Sequence, residues 1–345
     1  MHYYRHLTIL FVTLLCAVAC SRSNMKPGQL VRFYNSDSTL YGFKNHEGEI
    51  IVDTVFSKDK NSIKIVSAKE VFKDKYYFYH VTREGKIAAR DSVYFLDMNI
   101  DCESEGHIRF WSRTKEHYYT GLLNGKGNIV IPALYSDMEP VANGLVNCLE
   151  GATYKNIEGE IYRHVGGHHV LLDTVGKVLI KNFEPKKGTP YLYSLKISST
   201  PDPDPLRESF KTTKGNYYSF LVLEKEMERW FFRDFCTVAS LEDLKKLCFK
   251  EIMFNGNPEP TTPDSLSDKK FKEIKESIFT AKGKPRISIW SIPPFGKAND
   301  EIFYDHCGNY KQSKYPIVKV SYDAWAEFYF IYTAGGFKLT EVNFY

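Results

Sequence analysis

The sequence predicts an N-terminal all-β repeat module of stacked β-hairpins followed by an α+β domain, its helices packed on an antiparallel sheet. Three observations predict it. Segments of glycine, a polar residue and then aliphatic residues recur through the first half, proline-punctuated stretches divide the chain near residue 190, and helical periodicity followed by strand patterns fills the remainder. The 345 residues are 43% hydrophobic and 26% charged, which supplies sizeable cores and excludes a disordered, collagenous or polytopic membrane chain. The 46 basic and 42 acidic residues nearly cancel, so a nucleic-acid binder with a strong electrostatic footprint is excluded too.

Residues 1–19 read as an export signal. Arg5 precedes the uncharged run Leu7 to Ala19, which as a helix would span about 20 Å, short of a hydrocarbon core of roughly 30 Å. A basic start, a short apolar run and small residues after it are the parts of a secretory signal. The run ends in Ala17-Val18-Ala19-Cys20, and here the chain resembles a bacterial lipoprotein precursor. That resemblance implies cleavage before Cys20 and lipidation of its thiol; the other reading is an ordinary signal peptide in which Cys20 is incidental. A diacylated cysteine would tether the protein without a spanning helix, each buried methylene contributing about 0.8 kcal/mol. Residues 20–39 then form a tether. Loss of Arg5 leaves a net charge of +3.

Residues 40–183 hold the repeats. Gly48-Glu49-Ile50-Ile51-Val52, Gly85-Lys86-Ile87, Gly127-Asn128-Ile129-Val130-Ile131 and Gly176-Lys177-Val178-Leu179-Ile180 share one pattern. The first and third copies match at a constant offset of 79 residues: Gly42 with Gly121, Gly48 with Gly127, Ile50 with Ile129 and Phe56 with Tyr135. Glycine after polar residues supplies the positive φ of a tight turn, and the Ile/Val run after it is a half-buried strand. One such hairpin is too small to stand alone, so neighbours must stack. The stretch Tyr119 to Cys148 resembles the WG-repeat (KWG) family through Gly121, Gly127, Ile131-Pro132, Tyr135 and Gly144-Leu145, with Tyr119 or Thr120 where that family has tryptophan. The resemblance implies a β-rich repeat module with interaction roles, common on exported bacterial proteins, and implies no catalytic residues.

Residues 184–205 are rich in proline and read as a linker, leaving 206–345 as the α+β domain. Phe220, Leu223, Met227, Trp230, Phe231 and Asp234 predict a helix from about Tyr217 to Cys236, Ser240 with Asp243 a capped helix to about Phe249, and Phe271, Ile274 and Ile278 a third helix over Ser267 to Ala281. Strands are expected over Arg286 to Ile292, Tyr315 to Tyr322, Trp325 to Thr333 and Phe337 to Phe344, the last two joined by a turn at Ala334-Gly335-Gly336. That order resembles an NTF2-like or cystatin-like cone, in which a curved sheet wraps a helix. It implies a pocket that Trp230, Trp325, Phe328 and Phe330 would line; plain core packing of those rings is the competing reading.

Chemistry is sparse. His164-Val-Gly-Gly-His168-His169 tempts as a metal site, but two glycines interrupt it and no glutamate completes HExxH, so it reads as a histidine-bearing loop. Asp97, Asp101, Glu103 and Glu105 read as a solvated acidic loop, and Asp300, Glu301 and Asp305 carry no assignment as acid or base. The cysteines Cys102, Cys148, Cys236, Cys248 and Cys307 form no framework; buried free thiols are expected, with at most one bridge. No cofactor, metal or catalytic residue is expected. The resulting expectation is a non-enzymatic, lipid-anchored envelope protein, on the periplasmic face rather than the cell surface. It would meet the membrane through Cys20 and a protein partner through its repeats, and would bind no nucleic acid. The alternative expectation is a module for a small apolar or aromatic ligand, or a glycan, in the C-terminal pocket.

Overall fold

The computed structural model describes residues 31–345 apart from 39, 46, 58–66, 73–74, 83–85, 97–98, 115–116, 160, 258, 281–282, 294–300, 306–308 and 323–325. The signal segment with Cys20, and Trp325, Asp300 and Cys307, therefore lie outside the described residues. Two compact units are present, one ending at Asp91 and one running from Ser92 to Tyr345.

The first unit contains two three-stranded antiparallel sheets. One joins β1 (Val31–Tyr34), β2 (Leu40–Lys44) and β3 (Ile50–Ser57); the other joins β4 (Ser67–Phe72), β5 (Lys75–Val81) and β6 (Ile87–Ala88). Tyr41, Phe43 and Tyr79 form its buried core.

The second unit begins with a short hairpin, β7 (Phe95–Leu96) and β8 (Asn99–Ile100). The sheet β11-β10-β9 follows, from β9 (His107–Arg113), β10 (Tyr118–Asn124) and β11 (Ile129–Tyr135). Next come β12 (Asp137–Met138), β13 (Leu145–Glu150), a two-stranded ribbon of β14 (Thr153–Glu158) and β15 (Ile161–Val165), then β16 (His168–Asp173) and β17 (Val178–Ile180). Strands β12, β13, β16 and β17 make one sheet, and the ribbon stands apart from it.

The 79-residue offset read from the sequence reappears as hairpin register. In the first hairpin Tyr41 opposes Phe56, Phe43 opposes Val52 and Lys44 opposes Ile50. In the second, Thr120 opposes Tyr135, Leu122 opposes Ile131 and Leu123 opposes Ile129. Both carry a bulge at the conserved-offset glycine, and the reason is steric. A Cβ on Gly121 would lie 2.6 Å from the Phe110 ring and 2.7 Å from both the Ala133 nitrogen and the Ile131 oxygen, and one on Gly42 would lie 2.6 Å from the Asp53 carbonyl carbon. The turn is also shared. The Asn45 side chain accepts from the Glu47 and Glu49 amides, Asn124 from Lys126 and Asn128, and Asp173 from Val175 and Lys177. In each turn the fourth residue is a glycine with positive φ: Gly48 at 89°, Gly127 at 70° and Gly176 at 85°.

The turn recurs once more. Thr212 and Gly215, the latter at φ 89°, close the hairpin between β19 (Arg207–Lys211) and β20 (Tyr217–Val222), which forms a sheet with β18 (Pro190–Ser198). Residues 184–205, expected as a linker, thus carry a nine-residue strand. Leu145, Leu171, Ile180, Phe183, Phe210 and Phe220 fuse this sheet to the preceding one.

The α+β expectation for residues 206–345 is overturned. Among the described residues 49% lie in strands and 15% in helical turns, with three short α-helices set among several small sheets. These are α1 (Leu223–Trp230), α2 (Leu241–Leu247) and α3 (Asp268–Thr280). The helix expected from Tyr217 starts at Leu223, because Tyr217–Val222 is taken by β20, and it ends in a π-helical turn over Phe231–Phe235. A Tyr/Phe/Leu/Val segment satisfies both periods, and pairing with two neighbouring strands decides in favour of sheet. The capped helix is present, the Ser240 hydroxyl accepting from the Asp243 amide at 3.2 Å. A strand absent from the expectation, β21 (Cys248–Phe254), lies parallel to the last strand. With β22 (Arg286–Trp290), β23 (Ile317–Tyr322), β24 (Ala326–Thr333) and β25 (Gly336–Phe344) it forms a five-stranded sheet ordered β21-β25-β24-β23-β22.

Candidate functional site

Strands β13 and β16 are the centre of the site. Val146, Cys148, Val170 and Leu172 face one core; Leu145 and Leu171 face another. Residues on the second face alternate with those on the first, so Asn147 and His169 share the face of Leu145 and Leu171. The pairing of Asn147 with Leu171 and of Leu149 with His169 makes Asn147 and His169 diagonal neighbours. Their side chains meet, Nδ1 of His169 lying 3.1 Å from Oδ1 of Asn147.

A cleft of about 580 Å³ opens there. Its polar wall comprises Glu139, Asn147, His169 and Gln312, and its apolar wall Phe183, Leu192, Leu223 and Ile289. The Glu139 amide donates to the Asn147 carbonyl at 2.9 Å, so a carboxyl, an amide and an imidazole stand side by side on the cleft wall. Burial pushes the Glu139 carboxyl above its ordinary range, Asp137 adds to this, and Asn147, His169 and Arg109 pull against it. The Glu139 residue is nonetheless solvent-exposed. With the Nδ1–H donating to the Asn147 Oδ1, the His169 Nε2 is left as an acceptor on the same wall as the Glu139 carboxyl. The imidazole is paired with an amide rather than a hydroxyl or thiol, so the pair forms no nucleophile–base couple.

The walls are fixed from behind. Buried Arg109 forms an ion pair with Asp101 at 2.6 Å, donates to the Met138 carbonyl at 2.7 Å and sits 4.0 Å from the Tyr94 ring centroid, which pins the chain one residue before Glu139. Glu105 accepts from the Asn143 and Gly144 amides and from the Tyr193 hydroxyl at 2.9, 2.8 and 2.6 Å, tying a repeat turn to β18. The acidic segment expected as a solvated loop therefore contributes two structural clasps, Asp101 and Glu105. On the opposite wall, Thr189 donates to Glu224 through its amide at 2.8 Å and its hydroxyl at 2.6 Å, and the Tyr191 hydroxyl donates to the Lys314 carbonyl at 2.9 Å.

The other sequence-derived candidates lie elsewhere. Phe328 and Phe330 are fully buried in the core beside the five-stranded sheet, with Trp230 partly buried against it; the Trp230 and Phe330 ring centroids are 5.3 Å apart. None of the three lines the cleft. The histidine segment is strand rather than loop: His164 ends on β15, while His168 and His169 are successive residues of β16 and point to opposite faces. His168 lies 3.3 Å from Glu150, away from the His169–Asn147 pair. No group of three metal-ligating side chains exists among the described residues. Asp305 accepts from the Asn309 amide at 2.8 Å. Cys148 and Cys248 are buried and free, Cys236 is free and half-buried, and burial raises all three thiols, Cys236 to about 11 and Cys248 to about 12. Cys102 is disulfide-bonded, which takes the single bridge that the sequence left open.

Residues 121–146 carry the bulge glycine, the turn, the Ile-Pro edge, Glu139 and the Gly144 turn in one run. They match the family model of the WG containing repeat. No curated protein matches the chain, and no solved structure matches it. The matched repeat contributes Glu139 and Pro140 to the cleft, and Asn147 lies just past its end. Glu139 and Asn147 escaped sequence reasoning. The signal for Asn147 was present, an amide between the apolar residues Val146 and Cys148 of a strand; Glu139 has no such signal, since the other residues that wall the cleft around it come from far along the chain.

Proposed function

We infer that this chain is a non-enzymatic, lipid-anchored binding protein of the bacterial cell envelope. Its WG-type hairpins act as scaffold and spacer, and its cleft takes a ligand with an amine head and an apolar body. The Glu139 carboxyl and the His169 Nε2 carry this reading: they are acceptors in a cleft whose other wall is apolar, so the complementary head is a cationic donor. Ionised Glu139 has few compensating charges, and a bound ammonium would supply one.

The anchor rests on the sequence from Leu7 to Cys20. Among the described residues no helix is long and apolar enough to cross a membrane. The disulfide at Cys102 supports an oxidising compartment. Radiolabelled palmitate should enter the wild-type chain and not Cys20→Ala; equal labelling sinks the anchor. A thermal-shift screen of amines bearing aliphatic or aromatic bodies tests the cleft. A compound at 100 times its dissociation constant adds about 2.7 kcal/mol, whereas a screen in which only acids stabilise the protein contradicts the acceptor assignment.

A further inference from the structure

The ribbon of β14 and β15 is a two-stranded sheet on its own, and every residue of β14 is exposed. Its base is firmly built. The Ser136 hydroxyl donates to the Ala152 carbonyl at 3.0 Å and accepts from the Ala152 amide at 2.9 Å. A Cβ on Gly167 would lie 2.6 Å from the Glu150 carbonyl oxygen and 2.7 Å from the Ala152 nitrogen, so the returning strand presses directly on the outgoing one. An isolated two-stranded hairpin is marginal in water. This one also leaves Tyr154, Ile157, Tyr162 and Val165 exposed at 48%, 55%, 53% and 41% within twelve residues.

Its faces differ. Tyr154 stacks on Tyr162 at 5.5 Å and packs on His164 at 5.0 Å, giving an aromatic face. Lys155 opposes Arg163 on the other. The bulge between Asn156 and Glu158 shifts the alternation by one, so Glu158 joins Lys155 on the second face. Strand β14 therefore carries a cation and an anion on one face, about two strand positions apart, while β15 contains no acidic residue. The outer edge of β14 is guarded by charge and by its bulge, and those charges disfavour pairing with a neutral or like-charged strand but not with a copy of this one. Edge strand β11 is blunted by Pro132, whereas β14 holds no proline.

We propose that two copies of this chain pair antiparallel along β14, Lys155 of each opposite Glu158 of the other, completing a four-stranded sheet. A second copy is the occupant because the edge is complementary to itself: a two-fold axis between Lys155 and Glu158 satisfies both charges of both copies. This goes beyond the cleft, whose residues take no part in it.

The test is charge exchange on the full chain in mild detergent, with mass read by sedimentation velocity. The wild type is expected to be a dimer at micromolar concentration. Lys155→Glu and Glu158→Lys should each weaken the dimer roughly 30-fold, since two symmetry-related pairs turn from attraction to repulsion. Mixing the two single variants should restore a heterodimer, because every opposed pair is then of opposite sign. The double variant K155E/E158K should dimerise with itself. Both side chains are exposed, and unchanged melting of the monomers verifies folding. A wild type that stays monomeric at 100 micromolar overturns the proposal, as does a dimer indifferent to both single changes. Monomers that instead float with anionic vesicles through Tyr154 and Tyr162 would assign the ribbon to a membrane and equally overturn it.

Discussion

Replacing Gly121 by alanine tests whether the repeat hairpin is built around a close backbone approach. The new Cβ would meet the Ala133 nitrogen and the Ile131 oxygen at 2.7 Å and the Phe110 ring at 2.6 Å. The ring can turn, but the two β11 backbone atoms cannot retreat without breaking the Thr120/Leu122 bulge and its pairing. Overpacking of this kind costs about 1–3 kcal/mol, and the involvement of backbone on one side and a ring on the other places this site near 3. For a unit of this size each kcal/mol moves the midpoint by roughly 2–4 °C, so Gly121→Ala should melt about 6–12 °C lower by calorimetry. Gly125→Ala is the control, because the nearest atom to its Cβ is the Gly106 oxygen at an ordinary 3.5 Å; its effect should stay within about 0.5 kcal/mol. Equal melting of the two variants would refute the steric account of the motif glycine.

Three further outcomes follow from the same geometry. Arg109→Met removes the guanidinium from buried Asp101, while the backbone amide at 109 still donates to it, and should cost about 3–5 kcal/mol in urea denaturation, with Asp101→Asn added to it recovering part of the loss. Asn124→Ala removes the acceptor for the Lys126 and Asn128 amides and should cost about 1 kcal/mol; Asn124→Asp should be tolerated, as Asp173 fills the same role. Glu139→Gln should stabilise the protein at pH 7.5. Its carboxyl is raised in the folded state, so the wild type folds at a disadvantage above that pKa, loses the disadvantage as pH falls through it, and matches the variant below the ordinary value of 4.5. A difference independent of pH, or destabilisation at pH 7.5, would contradict the raised ionisation of that carboxyl.

The hairpins were legible because their determinants are local. Gly42 and Gly121, Asn45 and Asn124, and the Ile/Val strands after them all act within about twenty residues, so a constant offset in sequence became a constant register in space. The C-terminal architecture was not legible for the opposite reason. Tyr217–Val222 reads equally as helix, and β21 owes its place to a parallel pairing with β25 some ninety residues away. The cleft belongs to the second class. Arg109, Glu139, Asn147 and His169 come from four separate segments, and only pairing between β13 and β16 brings Asn147 to His169. Similarly, Asp101 and Glu105 looked like solvent-facing charges because the donors they serve, on Arg109, Asn143, Gly144 and Tyr193, are set by tertiary structure.

The binding role of the cleft is tested most directly by calorimetric titration of the best amine from the screen into wild type and Glu139→Gln. The carboxyl is the charged acceptor that would hold the ammonium, and a charge-assisted hydrogen bond contributes about 1.5–3 kcal/mol. Affinity should therefore fall roughly 10- to 100-fold in the variant while its folding is unimpaired. Equal affinity for both proteins would contradict the assignment of the cleft as the site.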